Sequence, residues 1–283
     1  MDLLSRLENV DIQIIDRFPP DDMEYCRAQE RIYQAAYSIY SEVAFIEEDA
    51  NAKLTALKDG DVYYIQEVEV NKDKIYKSSE RFISRICGYF RKKHKVSVDE
   101  PDWMTEAEDE GYGHRYKTER YDMVPLQYIL DSVYDQMGGM SFEEKAFNEL
   151  KDSAREAMAK YNGTSKYRIQ GIRLIVDEFF YSRKDSIYER YMASVESKHR
   201  AFFKALSHFE YGTYDLSHKY NFLCDYRIDE NDGVYDKHPV SSSVVKSIKV
   251  FKNGKTEFEF KDYMTIVKFM DIYFPGLPQQ AAA

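Results

Sequence analysis

Apolar positions recur at three- and four-residue intervals over much of the chain, and strict alternation is confined to short stretches. The longest periodic run follows Pro19-Pro20, where Asp21-Asp22 can cap a helix that the spacing carries to about Leu57. Along it Ile32, Ala36, Ile39, Val43, Ile46 and Ala50 step by 4, 3, 4, 3 and 4 residues, a heptad-like seam suited to a partner helix. Two occupants fit that seam: a second helix of the same chain folding back as a hairpin, or a helix of another molecule, whether a further copy or a target. Residues 10–14 and 62–70 alternate like strands, and Asp59-Gly60 breaks the chain between the long helix and the second of these.

A second helix is expected over about 72–93, with Ile75, Phe82, Ile83, Ile86 and Phe90 at helical spacing. It closes on Arg91-Lys92-Lys93-His94-Lys95, cations that suit the negative end of a helix dipole and could also meet a phosphate or an acidic partner. Further on, helices are expected at about 124–137 and from Ser141 to about Tyr161. Ser141 and Glu144 have the spacing of a capping box there, and Asn162-Gly163 closes the second helix. Residues 172–176 fit a buried strand or the first turn of a helix, with strand favoured, and Ile187, Tyr191, Val195, Phe202, Leu206 and Phe209 predict one helix over about 185–209. Residues 212–242 have no regular period. The chain then finishes with a strand at 244–251, Asn253-Gly254 as a type I′ hairpin turn, a returning strand at 256–260 and a short helix at 263–273. The predicted class is α+β: long amphipathic helices with small antiparallel sheets, including a C-terminal β-hairpin followed by a short helix.

Composition adds a division of the chain. Asp99, Glu100, Asp102, Glu106, Glu108, Asp109 and Glu110 crowd one stretch, followed by Gly111 and Gly113, so 99–120 reads as an acidic, solvated linker. It separates an N-terminal helical region, 1–98, from a C-terminal α+β domain, 121–283. The only Trp, Trp103, lies in this stretch and would suit an anchor docking on a basic partner. Of the 283 residues, 40 are Lys or Arg and 50 are Asp or Glu, a net charge of −10, which disfavours nucleic acid as the partner because phosphate affinity needs a basic surface. The 25 Tyr are a second signal, since Tyr presents a large apolar face and a polar tip at low entropic cost. Tyr33, Tyr37 and Tyr40 on the first long helix, and Tyr211 and Tyr214 in the second half, are therefore candidate partner contacts together with Trp103, Glu108, Asp109 and Glu110. Ile32, Ile39, Val43 and Ile46 are the candidate oligomer seam.

Chemistry is sparse by comparison. The sequence has no GxxxxGK[ST], GxGxxG, GxSxG or HExxH motif. His199 and His208 are nine apart on one expected helix, which is not metal-ligand spacing. The loop at 225–233 fails the register of a calcium site, and the adjacent Asp177 and Glu178 would point to opposite faces of a strand. Cys26, Cys87 and Cys224 are odd in number and far apart, which argues for buried thiols in a reducing compartment. No stretch approaches a membrane span, and the acidic start of the chain is unlike a signal peptide. No catalytic residue, cofactor or metal is expected, and the expected location is a bacterial host cytoplasm.

Two segments carry a resemblance. The run Gly171-Ile172-Arg173-Leu174-Ile175-Val176-Asp177-Glu178-Phe179-Phe180, then residues 188–203 and Phe209-Glu210-Tyr211-Gly212, resembles a family of proteins carried by prophages, plasmids and genomic islands. The ending Lys249-Val250-Phe251-Lys252-Asn253-Gly254-Lys255, with Phe258 and Phe260 after it, is similar to that family's Phe-Lys-Asn-Gly hairpin. The likeness covers roughly 145–275 and implies a mobile-element origin without an enzymatic activity. Some members are joined to methyltransferase domains, whose motifs are absent here. The size, long helices and Tyr-rich surface are also similar to phage inhibitors of the Gabija nuclease–helicase system. That likeness implies direct, non-enzymatic binding of a bacterial defence complex, and the heptad-like seam predicts a homo-oligomer. A nucleic-acid-binding accessory protein using residues 91–95 and a carboxylate-dependent enzyme are the alternatives.

Overall fold

The computed structural model of the chain describes residues 17–56, 73–103, 105–106, 117–118, 122–158, 167–184, 191–194, 197–221, 228–229 and 233–275. The expected strands at 10–14 and 62–70 lie outside the described residues, as do Cys224 and three of the acidic linker positions, Glu108, Asp109 and Glu110. The chain divides into two compact units, Met1–Phe142 and Glu143–Ala283.

The first unit is built on α1 (Pro20–Ala56) and α2 (Asp73–His94), joined as an antiparallel hairpin. Its register is fixed at three levels. Lys93 at the end of α2 pairs with Asp21 and, at 2.6 Å, with Asp22 at the start of α1. Arg85 reaches Gln29 at 3.5 Å, and Tyr33 meets Ser79 at 3.0 Å while stacking on Phe82 with ring centroids 4.4 Å apart. At about 1.5 Å of rise per residue, α1 runs about 55 Å and α2 about 33 Å, so the last turns of α1 extend past the start of α2. A short antiparallel pair, β1 (Thr105–Glu106) and β2 (Lys117–Thr118), follows. Then α3 (Leu126–Met137) buries Ile129, Leu130, Val133 and Met137 and packs on both α1 and α2. Because α3 belongs to this hairpin, the boundary between units falls after Phe142 and not within 99–120. Residues 99–103 are themselves fastened to α3: Asp99 exchanges two hydrogen bonds with Gln136, at 2.7 and 3.0 Å, and Tyr128 donates to the Asp102 carbonyl at 2.6 Å.

The second unit carries most of α4 (Phe142–Met158) and a five-stranded antiparallel sheet, β3 (Tyr167–Gln170), β4 (Arg173–Val176), β8 (Lys237–Pro239), β9 (Val245–Val250) and β10 (Thr256–Phe260), in the order β3-β4-β10-β9-β8. A three-stranded sheet comprises β5 (Tyr181–Lys184), β6 (Tyr191–Ser194) and β7 (Ile228–Asp229). Two longer helices, α5 (Ser197–Tyr211) and α7 (Tyr263–Tyr273), and the short α6 (His218–Asn221) complete the unit. Alternation sets the faces of the larger sheet. Leu174, Val176, Ile248, Val250, Phe258 and Phe260 point into the core, where Phe202, Phe203, Leu206, Phe269 and Tyr273 meet them. Phe202 and Phe258, with ring centroids 4.8 Å apart, sit at its centre. The outer face holds Arg173, Lys249, Glu257 and Glu259, tied by pairs such as Lys237–Glu259 at 2.6 Å and Arg173–Glu257 at 3.6 Å. Asp262 caps α7 by accepting from the Thr265 amide at 2.8 Å.

Two local expectations are corrected. The single helix over 185–209 is a strand, β6, followed by α5, which begins at Ser197. Backbone pairing of β6 with β5 and β7 makes Tyr191–Ser194 a strand, and Val195 lies outside the described residues. The Phe-Lys-Asn-Gly turn is not type I′, which needs positive φ at both central residues. Gly254 has φ +81° whereas Asn253 is not among the residues of positive φ. With Gly254 N–H donating to Phe251 O at 2.8 Å and Phe251 N–H to Lys255 O at 2.9 Å, the loop is a type I turn followed by a glycine bulge. The α+β class stands: helices, small antiparallel sheets and a C-terminal hairpin running into a helix.

Candidate interaction surface

The long helix α1 presents two apolar lines, one position apart. The line through Met23, Cys26, Tyr33 and Ala44 is buried. Cys26 is fully enclosed, and burial pushes its thiol up to about 12; Cys87 on α2, likewise enclosed, is pushed up to about 11. The other line is the heptad-like seam, and it faces solvent: Ile32 is 56% exposed, Ile39 59%, Val43 39% and Ile46 65%, with Phe45 beside them at 70%. The chain does fold back as a helix hairpin, but α2 takes the first line and leaves the seam open. A contiguous run of large apolar side chains at this exposure is uncommon on a monomer's surface.

Beside the N-terminal half of the seam, α1 and α2 enclose a groove of about 190 Å³. Ile32, Ala36 and Tyr40 line it from α1, Tyr33 and Phe82 form its floor, and Arg81 and Arg85 stand on its α2 wall. Neither arginine forms an ion pair among the described residues.

The aromatic candidates separate by burial. Tyr33 is closed to any partner at 3% exposure; its hydroxyl accepts from the Val124 amide at 2.9 Å and meets Ser79, so it pins the approach to α3 against the hairpin. Tyr37 is half-buried beside Tyr33, and Tyr40 is half-buried in the groove wall. Trp103 is half-buried, edge-on to Tyr128 at 4.9 Å, which places it on α3 and not on a free linker. Tyr211 is 47% exposed on α5, whereas Tyr214 packs on the His208 ring at 4.6 Å and donates to the Glu143 carbonyl at 3.3 Å.

Two polar clusters were not visible in the sequence. Asp22, fully buried, accepts from Tyr89 at 2.8 Å and Lys93 at 2.6 Å and meets His94 at 2.8 Å, which closes the end of the hairpin. Arg91 pairs with Glu100 at 2.6 Å, so two cations of the 91–95 cluster are neutralised by the fold, which weakens the phosphate-binding reading. In the second unit the Glu210 carboxylate accepts from Ser242 Oγ at 2.6 Å, Ser243 N–H at 2.7 Å and Tyr220 at 3.0 Å. Burial opposes its ionisation, but hydrogen bonds from Ser242, Tyr211, Ser243 and Tyr220 prevail and hold it at about 2. Both clusters join segments distant in sequence, a relation that no local spacing encodes.

Among the described residues no group of three His, Cys, Asp or Glu side chains could hold a metal ion, and no helix is long and apolar enough to cross a membrane. Comparison with protein-family models, curated proteins and solved structures gives no match.

Proposed function

We propose that this chain is a mobile-element protein that acts by binding other proteins, self-associating through α1 and inhibiting a bacterial anti-phage complex of the nuclease–helicase type, with Gabija as the first candidate. The observation that carries the reading is the exposed seam of Ile32, Ile39, Val43 and Ile46, a large apolar surface that the described helices of its own unit leave uncovered. The net charge of −10 supports a target with a basic face, because opposite charge speeds encounter and selects orientation. The resemblance of residues 145–275 to mobile-element proteins supports the origin.

The test is reconstitution from purified components. The chain is mixed with a purified Gabija complex and with unrelated nuclease–helicase complexes, followed by size-exclusion chromatography with light scattering and a nuclease assay. Stoichiometric co-elution with loss of nuclease activity is expected for the target. Co-elution with none of them, or capture that disappears once nucleic acid is digested, overturns the reading and brings the accessory DNA-binding alternative forward.

A further inference from the structure

We infer that the occupant of the α1 seam is α1 of a second copy, laid antiparallel, with its acidic C-terminal half beside the arginine-lined groove. This rests on the reading of the seam as a self-association surface and assigns its direction and contacts.

Three observations carry it. The first is volume. Large and small side chains alternate along the seam, so a parallel pair would face Ala36 with Ala36 and Ile39 with Ile39, leaving thin and thick layers in turn. Antiparallel pairing sets Ile39 against Val43, Ala36 against Ile46 and Ile32 against Ala50, and every layer then combines a larger with a smaller side chain.

The second is charge. The residues flanking the C-terminal half of the seam are Glu42, Glu47 and Asp49, whereas the N-terminal half is flanked by uncharged positions and by Arg81 and Arg85 across the groove. Parallel pairing repeats a Glu42–Glu47 repulsion on both sides of the seam. Antiparallel pairing carries Glu47 to the side of Tyr33 and Tyr40, the side on which Arg81 and Arg85 stand. It leaves one like-charged pair, Glu42 with its counterpart, on the solvent side of the two-fold axis.

The third is length. Because α1 outreaches α2, its last turns have no counterpart among the described residues of the hairpin, and the antiparallel arrangement lays them along the second copy's groove. The seam from Ile32 to Ala50 spans about 27 Å on each helix, and the interface is isologous and closed, which yields a dimer and not a filament.

The experiment uses the full chain alone, so its outcome is independent of any target. Sedimentation velocity over a concentration series is expected to show a dimer. Ile46→Asp, at an exposed position, is expected to raise the dissociation constant at least ~10-fold with an unchanged melting temperature. Arg81→Glu with Arg85→Glu is expected to weaken the dimer, and adding Glu47→Arg to restore it. For direction, Glu42→Cys in a Cys224→Ser background is expected to form a disulfide-linked dimer on mild oxidation, because only the antiparallel pair brings the two positions together. A monomer at every concentration overturns the inference. A dimer indifferent to Ile46→Asp overturns its placement, and a dimer that resists the Glu42→Cys cross-link overturns its direction. In each case the binding of a defence complex is judged separately, by the reconstitution above.

Discussion

A β-carbon on Gly254 would stand 2.4 Å from the carbonyl oxygen of Phe180, closer than any side chain tolerates. The approach has a purpose in the fold: the Gly254 carbonyl accepts from the amides of Phe179 and Phe180, at 2.9 and 3.1 Å, and so fastens the hairpin tip to the turn after β4. Gly254→Ala therefore suffers twice, from the backbone clash and from φ +81°, and a loss of about 2–4 kcal/mol is expected by urea denaturation. Asn253→Ala, where φ is not positive, is expected to cost far less.

The Tyr33 hydroxyl accepts from the buried Val124 amide at 2.9 Å. Tyr33→Phe keeps the stacking on Phe82 and removes the acceptor. A loss of about 1–3 kcal/mol is expected, read as a shifted denaturation midpoint with unchanged slope, because the penalty is a buried donor left unpaired.

Acid stability should respond to Glu210. Its folded-state value, about 2, lies below the ordinary 4.5, so its contribution is fully present above pH 4.5 and is lost as the pH falls through 4.5 toward 2. The contribution is on the order of 2–3 kcal/mol. Thermal melts of Glu210→Gln are expected to lie below those of the parent at neutral pH, and the two curves to converge near pH 2.

Burial pushes the His208 imidazole below its ordinary 6.5, and its Nδ1 lies 2.6 Å from the Tyr273 hydroxyl. The folded state thus binds this proton less readily than the unfolded chain does, and stability drains away as the pH falls below 6.5. Replacing His208 with Gln is expected to flatten the pH dependence of the melting temperature as the pH first falls below 6.5, before the Glu210 range near 4.5 is reached.

The thiols of Cys26 and Cys87, held at about 12 and about 11 and fully enclosed, offer almost no thiolate at neutral pH. Native-state alkylation with iodoacetamide at pH 8, read by mass spectrometry, is expected to leave both unmodified; labelling without denaturation would show that the hairpin opens.

Periodicity placed α1, α2 and the C-terminal hairpin in the sequence because each is a local pattern of apolar positions. It identified the seam of α1 but not which apolar line α2 would take. Tyr33 and Tyr40 carry enough polar character to be read as surface, yet Tyr33 is buried with its hydroxyl satisfied by Ser79 and Val124. The apolar spacing that began at Tyr191 read as helix, and pairing of β6 with β5 and β7 made it a strand. Asp22 read only as a helix-cap candidate and Glu210 only as part of a resembling segment; their clusters gave no signal because the partners lie on other segments, Tyr89, Lys93 and His94 for Asp22 and Tyr220, Ser242 and Ser243 for Glu210.

The two apolar lines of α1 separate the requirements of folding from those of recognition. Substitutions at Cys26 or Tyr33 are tested by the stability of the unit, whereas those at Ile32, Ile39 or Ile46 leave the hairpin core intact and change only what the helix meets. Such a helix can change the surface it presents by single steps without first being stabilised against each change, an economy of constraint.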